Sequence, residues 1–216
     1  MKRSTRTNLI TYLGVVIAFV AIVILRDSGS LSRSLTGQLV PICCYMSMAV
    51  SLNLTVGILG ELSLGHAGFM SVGAFSGVIA AMSLQSAIPS DLLRLAVAMI
   101  MGAAVAAVAG VIIGTPVLRL QGDYLAIVTL AFGEIIKELV NCLLVGWDSH
   151  GLHVALNLTG DKSIADLGLE TEGIAIIKGA QGATGTATIS TFTAGFVLVL
   201  ITLFVVLNLK DSRAGR

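Results

Sequence analysis

Six long apolar stretches follow one another along the chain. They occupy residues 9–25, 39–59, 62–84, 95–117, 124–144 and 191–209. A helix that crosses the hydrocarbon core of a membrane needs ~20 mainly apolar residues, and ~17 is the lower limit. The pattern therefore predicts an all-α polytopic transmembrane bundle with about six spanning segments, in which residues 1–216 form one membrane domain.

Glycine and polar side chains interrupt the third stretch and the residues before it. Residues 52–82 read LNLTVGILGELSLGHAGFMSVGAFSGVIAAM, and the polar interruptions include Glu61 and His66. Lipid cannot hydrogen-bond an open backbone amide, so such a segment is tolerated at membrane depth only where protein or a water-filled path surrounds it. We therefore predict a glycine-broken helical segment of the kind that transport proteins use.

The composition supports a membrane protein independently. The chain is 56% hydrophobic and 12% charged, with a mean hydropathy of +0.96, whereas soluble domains carry about 25% charged residues. The formal net charge is +1, and the basic residues form no stripe that could neutralise phosphates, so no nucleic acid partner is expected. The lipid bilayer is the partner that this composition predicts.

The basic residues beside the apolar stretches predict the orientation, because such residues are retained on the cytoplasmic side. They are Lys2, Arg3 and Arg6 before the first stretch, and Lys210, Arg213 and Arg216 after the last. The first stretch is longer than the core of a signal peptide and has no clear cleavage site. Six crossings return the chain to its starting side, so we predict a cytoplasmic amino terminus.

A long connection, residues 145–190, joins the fifth and sixth stretches. In the six-crossing topology it is an extracytoplasmic loop, and a loop of this length translocates largely regardless of its charge. Glycine, serine and threonine are dense over residues 179–193, which is typical of a mobile surface segment.

Small residues recur at spacings of three and four in the fourth stretch, which allows a neighbouring backbone to come close. They are Gly102, Ala103, Ala106, Ala107, Gly110 and Gly114. Gly73 and Gly77 repeat the spacing in the third stretch. The pattern predicts a bundle of closely contacting helices rather than independent anchors.

His66 is an ionisable group at membrane depth, which makes it a functional candidate. Nucleophilic catalysis with Ser63 would need an orienting carboxylate and an oxyanion site, and the sequence indicates neither. A metal site would need further ligands, but His150 and His153 lie in the long loop. We expect no catalytic, cofactor or metal site. Two hypotheses stay open for the imidazole: a hydrogen bond to the backbone at a helix break, or a place in the lining of a solute path.

The fifth stretch begins after Gly122, where Asp123 is predicted to cap the first helical amides. Helical spacing brings Glu134 toward Lys137, which attracts it, and toward Glu138, which repels it. Either this end of the helix emerges into water, or Glu134 lies beside a solute path. The candidate residues for the helix break or the path are Ser63, Gly65, His66, Gly68 and Glu134.

Three ordered blocks carry a resemblance to a known family. They are LNLTVGILGELSLGHAGFMSVGAF, LRLQGDYLAIVTLAFGEIIKELVN and the terminal LNLKDSRAGR. Together they resemble the LivM-type inner-membrane permease of branched-chain amino acid ABC importers, over about residues 39–144 and again in the last helix. Permeases for urea or other amides look similar over the same blocks. Leucine, isoleucine and valine are the expected cargo, and urea or an amide is the alternative.

The resemblance implies a mechanism with several partners in a bacterial inner membrane. In such importers a periplasmic binding protein delivers the solute to two homologous permease subunits, and two cytoplasmic ATPases drive alternating access. The permease hydrolyses nothing, and this sequence contains no glycine-rich phosphate loop ending in Gly-Lys-Ser or Gly-Lys-Thr.

The same resemblance assigns a role to the last residues. It implies that a segment coupling the permease to the ATPases opens with Ser212, Arg213, Ala214, Gly215 and Arg216. In the family this segment continues into further spanning helices, and the outer loop here is only loosely similar to the family's. We therefore expect the sequence to be the first portion of a permease, either a fragment or a truncated gene product.

Other classes of membrane protein remain as alternatives. A secondary carrier would use ion sites at broken helices, often within an inverted repeat, and the six stretches show no convincing repeat. A channel would need a ring of filter carbonyls or charges, which the sequence does not indicate. A non-transporting scaffold would explain the small-residue packing but not the KDSRAGR patch beside the last stretch.

Overall fold

A computed structural model describes residues 2–61, 63–117, 119–120, 122–148, 150–157, 164–168, 173–184, 186 and 188–212. Over these residues the chain forms six long helices and one small sheet. The helices are α1 (Lys2–Asp27), α2 (Arg33–Asn53), α3 (His66–Ser83), α4 (Asp91–Val117), α5 (Asp123–Asn141) and α6 (Phe192–Asp211). The strands are β1 (Leu143–Asp148), β2 (Gly151–Leu156) and β3 (Ile174–Lys178). The predicted all-α class is confirmed.

Among the described helices, α1, α2, α3, α4 and α6 are long and apolar enough to cross a membrane. This confirms a polytopic membrane protein. Helix α5 does not belong to this group, because its 19 residues include four charged side chains, too many for an apolar span. These are Asp123, Glu134, Lys137 and Glu138. The crossing by α5 stays a prediction.

The glycine-broken segment is confirmed. Helix α2 passes into a π-helical segment, Leu54–Leu59, which ends at Gly60 with a φ of +72°. Glycine adopts this left-handed conformation readily because it has no Cβ. None of the described residues between Leu59 and His66 is helical, and α3 begins only at His66.

Polar caps, rather than hydropathy, determine where some helices begin. Helix α2 begins at Arg33, before the predicted residue 39, because the Ser32 hydroxyl oxygen accepts a hydrogen bond from the amide of Leu35. The predicted cap at Asp123 is wrong. Asp123 is already the first residue of α5, and the capping position belongs to Gly122, which has a φ of +62° and no side chain.

The chain divides into two units, and the first comprises residues 1–60 and 190–216. Its core joins α1, α2 and α6. The buried residues are Leu39, Cys43, Phe192, Val199 and Leu203. Phe19 of α1 stacks on Phe196 of α6, with ring centroids 3.9 Å apart. Helices α2 and α6 cross at small residues, since a Cβ built at Gly195 would lie 3.0 Å from the Cβ of Cys43.

In the second unit, residues 61–189, α3 packs along α4 through small residues. A Cβ built at Gly102 would lie 2.5 Å from the carbonyl oxygen of Gly73, and one built at Gly77 would lie 3.4 Å from that of Ala98. The predicted close approach is confirmed at these positions. Gly110 and Gly114 differ, because a Cβ at either would meet no described atom within 4 Å.

The predicted loop between α5 and α6 contains a three-stranded antiparallel sheet in the order β2-β1-β3. Three of its side chains are fully buried: Val145, Ile176 and Ile177. They pack with Phe75, Val78, Ile79 and Met82 of α3. The segment predicted to be mobile begins with a 3₁₀ turn, Gly179–Gln181, and the amide of Lys178 donates a hydrogen bond to the carbonyl oxygen of Gly182. Its mobility stays a prediction.

Candidate solute-binding site

The non-helical segment before α3 is held against α5 by a hydrogen bond. The amide of Leu64 donates to the hydroxyl oxygen of Thr129 over 3.1 Å. That hydroxyl donates in turn to the carbonyl oxygen of Ala126 over 3.0 Å. Thr129 is buried, so a side chain of another helix satisfies a backbone amide that the break leaves open, as a low-dielectric environment requires.

Two glycines let the start of α3 touch the backbone of α5. A Cβ built at Gly65 would lie 2.5 Å from the carbonyl oxygen of Thr129, closer than real Cβ contacts. A Cβ built at Gly68 would lie 3.0 Å from Cδ1 of Ile136 and 3.3 Å from the Cα of Gly133. A side chain at Gly65 would therefore force the two elements apart.

A cavity of about 370 Å³ lies beside this crossing. Its walls come from α3 and its approach, from α5, and from the turn after β3. The lining residues are Leu64, Ala67, Gly68, Ser71 and Phe75; Leu130, Gly133, Glu134, Lys137, Val140 and Asn141; and Gly179, Ala180 and Gly182. Small-molecule sites typically enclose about 300–1,000 Å³, so the cavity has room for a solute the size of an amino acid.

Gly179 holds the turn against the end of α5. Its φ is +60°, and a Cβ built there would lie 2.7 Å from the carbonyl oxygen of Asn141. Both facts favour glycine at this position. The turn therefore forms part of the cavity wall, and a larger residue would lift it from α5.

The cavity is mainly apolar, and its charged groups form one ion pair. Nζ of Lys137 lies 2.9 Å from Oε2 of Glu134, which confirms the predicted attraction. Their side chains are 60% and 58% exposed, so the pair contributes little to stability. Glu138 does not line this cavity. It lines a neighbouring cavity of about 330 Å³ together with Ile135 and Leu139.

The structure brings together some of the residues singled out in the sequence. Gly68 and Glu134 both line the cavity, whereas Ser63, Gly65 and His66 do not. Gly65 lies at the α3–α5 crossing, and Ser63 and His66 are half-buried beside it. The two hypotheses for the His66 imidazole remain predictions.

The carboxyl-terminal candidates lie mostly outside the described residues. Ser212 directly follows α6, and its hydroxyl donates a hydrogen bond of 2.7 Å to the carbonyl oxygen of Leu209. The positions of Arg213, Ala214, Gly215 and Arg216 are not among those described.

Several cavity residues were not among the candidates for the solute path in the sequence. On α3 they include Ser71 and Phe75, and on α5 they include Lys137 and Asn141. Both pairs are spaced by four residues, which places their members on one helix face. This helical spacing was the sequence signal that could have grouped these residues.

A family model described as the branched-chain amino acid transport system permease component matches residues 34–216. The matched region covers most of the chain and includes both walls of the cavity. The chain belongs to this permease family.

Curated relatives of the chain support the same family. It is 38% identical over 100 residues to the high-affinity branched-chain amino acid transport system permease protein LivM of Salmonella typhimurium, and equally so to that of Escherichia coli. In each case the match covers 44% of this chain and 21% of the relative, so it spans about a fifth of the relatives' length. No solved structure matches the chain.

Proposed function

We propose that this chain is a permease subunit of an ATP-driven importer for branched-chain amino acids. It forms the solute pathway together with a second, homologous permease. The observation that carries the proposal is the family match over residues 34–216. Two relatives with 38% identity are named as permeases of high-affinity branched-chain amino acid transport, which supports the choice of cargo.

The local structure supports a place for the pathway beside α5. Helix α5 has a buried face against α3 and carries its charged pair at the wall of a cavity. Polar groups inside a membrane typically face the bundle interior or a water-filled space. This supports α5 as a membrane crossing in addition to the five apolar helices, with its charges toward the path and the amino terminus in the cytoplasm of a bacterial-type cell.

The energy for transport comes from partners. A periplasmic binding protein delivers the solute, and two cytoplasmic ATPase subunits hydrolyse ATP. Coupling requires that the nucleotide-bound and nucleotide-free ATPases contact the permease differently, because an interaction equal in both states shifts no equilibrium. We assign the start of this contact to residues 212–216, directly after α6.

Uptake into proteoliposomes tests this function. With the assembled importer in the membrane, we expect leucine to accumulate only when ATP is inside and the binding protein is outside. Urea and acetamide should not accumulate. Accumulation driven by an ion gradient without ATP would identify a secondary carrier instead, and no accumulation under any condition would favour a scaffold.

Cross-linking tests the partner contact. A cysteine replacing Ala214 should cross-link to an ATPase subunit, with a yield that changes when nucleotide is added. A cysteine replacing Gln85, which is exposed after α3, is the control, because the six-crossing topology puts it on the opposite side of the membrane. Equal cross-linking from both positions would refute the assignment of residues 212–216.

A further inference from the structure

The cavity between α3 and α5 combines one cation, one anion and an apolar wall. Lys137 and Glu134 lie 2.9 Å apart on α5. Leu64, Phe75 and Leu130 contribute apolar surface to the same cavity. An aliphatic α-amino acid has the matching parts: a carboxylate and an ammonium group on one carbon, and a branched hydrocarbon side chain.

We propose that this cavity binds a net-neutral aliphatic amino acid, with its carboxylate on Lys137, its ammonium group on Glu134 and its side chain against the apolar wall. The proposal deepens the transport function and rests on it.

The charged pair can exchange its internal bond for bonds to the solute at low cost. An ion pair between largely exposed side chains is weak, because water screens it. Both side chains are more than half exposed. A zwitterion offers each of them a new partner of opposite charge, and such charge-assisted hydrogen bonds are stronger than neutral ones. The site remains electrically neutral with the solute bound.

The same arrangement discriminates between solutes. A cationic or anionic amino acid would bring a side-chain charge against an apolar wall, where an unpaired charge is costly. Urea and simple amides carry no charge. When the Lys137–Glu134 ion pair opens, they therefore offer neither side chain a new partner of opposite charge. The cavity therefore favours leucine, isoleucine and valine over the amides that related permeases import.

The position of the cavity suits a solute arriving from the binding protein. The charged pair lies in the second half of α5, and Gly179 and Ala180 of the turn after β3 line the same cavity. In the proposed six-crossing topology this half of α5 and this turn lie toward the outside of the cell. The cavity would then receive the solute before the pathway opens inward.

Photo-labelling tests the site in the assembled importer. A leucine analogue with a diazirine in its side chain should label residues of α3 or α5 that line the cavity, and excess leucine should suppress the labelling. Glu134→Gln and Lys137→Gln should each reduce labelling by about tenfold or more, since each removes a hydrogen bond to a charged group. Glu138→Gln is the matched control, because this exposed carboxylate lies on the same helix but outside the cavity lining.

Competition with truncated solutes separates binding from a structural role. In Glu134→Gln, 4-methylpentanoate, which lacks the ammonium group, should compete as well as leucine or better. In Lys137→Gln, 3-methylbutylamine, which lacks the carboxylate, should compete as well as leucine or better. A purely structural ion pair predicts no such opposite shifts. The double variant Glu134→Lys with Lys137→Glu keeps both charges, so it should retain labelling within about threefold of the wild type. If a single variant fails to assemble, this double variant is used in its place.

The outcomes distinguish this inference from the transport function. If the wild-type importer accumulates leucine with ATP but the label falls outside the cavity, or the competition profiles do not change, the binding site is refuted and the transport function stands. If leucine neither accumulates nor suppresses labelling, both are refuted.

Discussion

The amide nitrogen of Leu64 lies 3.1 Å from Oγ1 of Thr129, a residue 65 positions later in the chain. The hydrogen bond joins the non-helical approach to α3 with the buried face of α5. Because the same crossing borders the cavity, its integrity sets the distance between the two main cavity walls.

Replacing Thr129 with valine should destabilise this crossing. The substitution keeps the shape of the side chain but leaves the Leu64 amide without its hydroxyl partner, which costs about 1–3 kcal/mol. We expect a lower thermal unfolding midpoint in detergent. Thr129→Ser is the control, because serine retains the hydroxyl. Equal midpoints for the two variants would show that the hydrogen bond contributes nothing.

Gly65→Leu should abolish leucine uptake, whereas Gly14→Leu on the exposed face of α1 should preserve most of it. Even the Cβ at Gly65 would lie 2.5 Å from the carbonyl oxygen of Thr129, so a larger side chain must separate α3 from α5. Gly14→Leu adds the same side chain at a position where a Cβ would meet no described atom within 4 Å. Uptake assays at equal membrane levels of each variant compare the two. Normal transport by Gly65→Leu would show that uptake does not require the close approach of α3 to α5.

Two glycines of α4 should respond differently to alanine. At Gly102 a Cβ would lie 2.5 Å from the carbonyl oxygen of Gly73, so Gly102→Ala should cost about 1–3 kcal/mol through overpacking. At Gly110 no described atom lies within 4 Å of a Cβ, so Gly110→Ala should be neutral or stabilise the helix by up to about 1 kcal/mol. Chemical denaturation in detergent measures both values. The reverse order would contradict the packing of α3 on α4.

Reporter fusions test the six-crossing topology. A reporter that works only outside the cytoplasm should be active when fused near Lys162 and silent when fused after Arg216. The reason is that basic residues flank both ends of the chain and are retained inside. If α5 does not cross, the pattern reverses: the fusion near Lys162 is silent and the fusion after Arg216 is active, because α6 still separates the two positions.

The main helices could be predicted because each depends on local hydropathy. Ends such as Ser32 before α2 depend on a single hydrogen bond from a cap, which hydropathy does not register. Helix α5 was the ambiguous case, since its apolar residues predict a crossing while Glu134, Lys137 and Glu138 do not favour one.

The sheet was missed for a different reason. Residues 151–156 alternate between half-buried and exposed positions, and this period of two was visible as LHVAL. The pairing of β1 with β3 was not, because Val145 meets Ile177 across a long and irregular connection with a shift in register at Gly146. Short strands of this kind gain their stability from packing on α3, which local sequence does not encode.

The site was predicted in part. Gly68 and Glu134 were chosen as unusual residues in apolar sequence, and both line the cavity. The turn at Gly179–Gln181 could not be assigned to the same cavity, because only the folded chain brings it against Asn141.

The glycine-rich face of α3 also affects how this helix enters the bilayer. With 18 residues it is about 27 Å long, just short of the ~30 Å hydrocarbon thickness, and it is the least apolar of the five candidate spans. Partitioning into lipid therefore favours it weakly, and Gly73 and Gly102 leave room for α4 to cover it. We expect α3 to insert as a helical hairpin with α4. In a glycosylation-mapping host, α3 alone should insert inefficiently, and the addition of α4 should restore insertion.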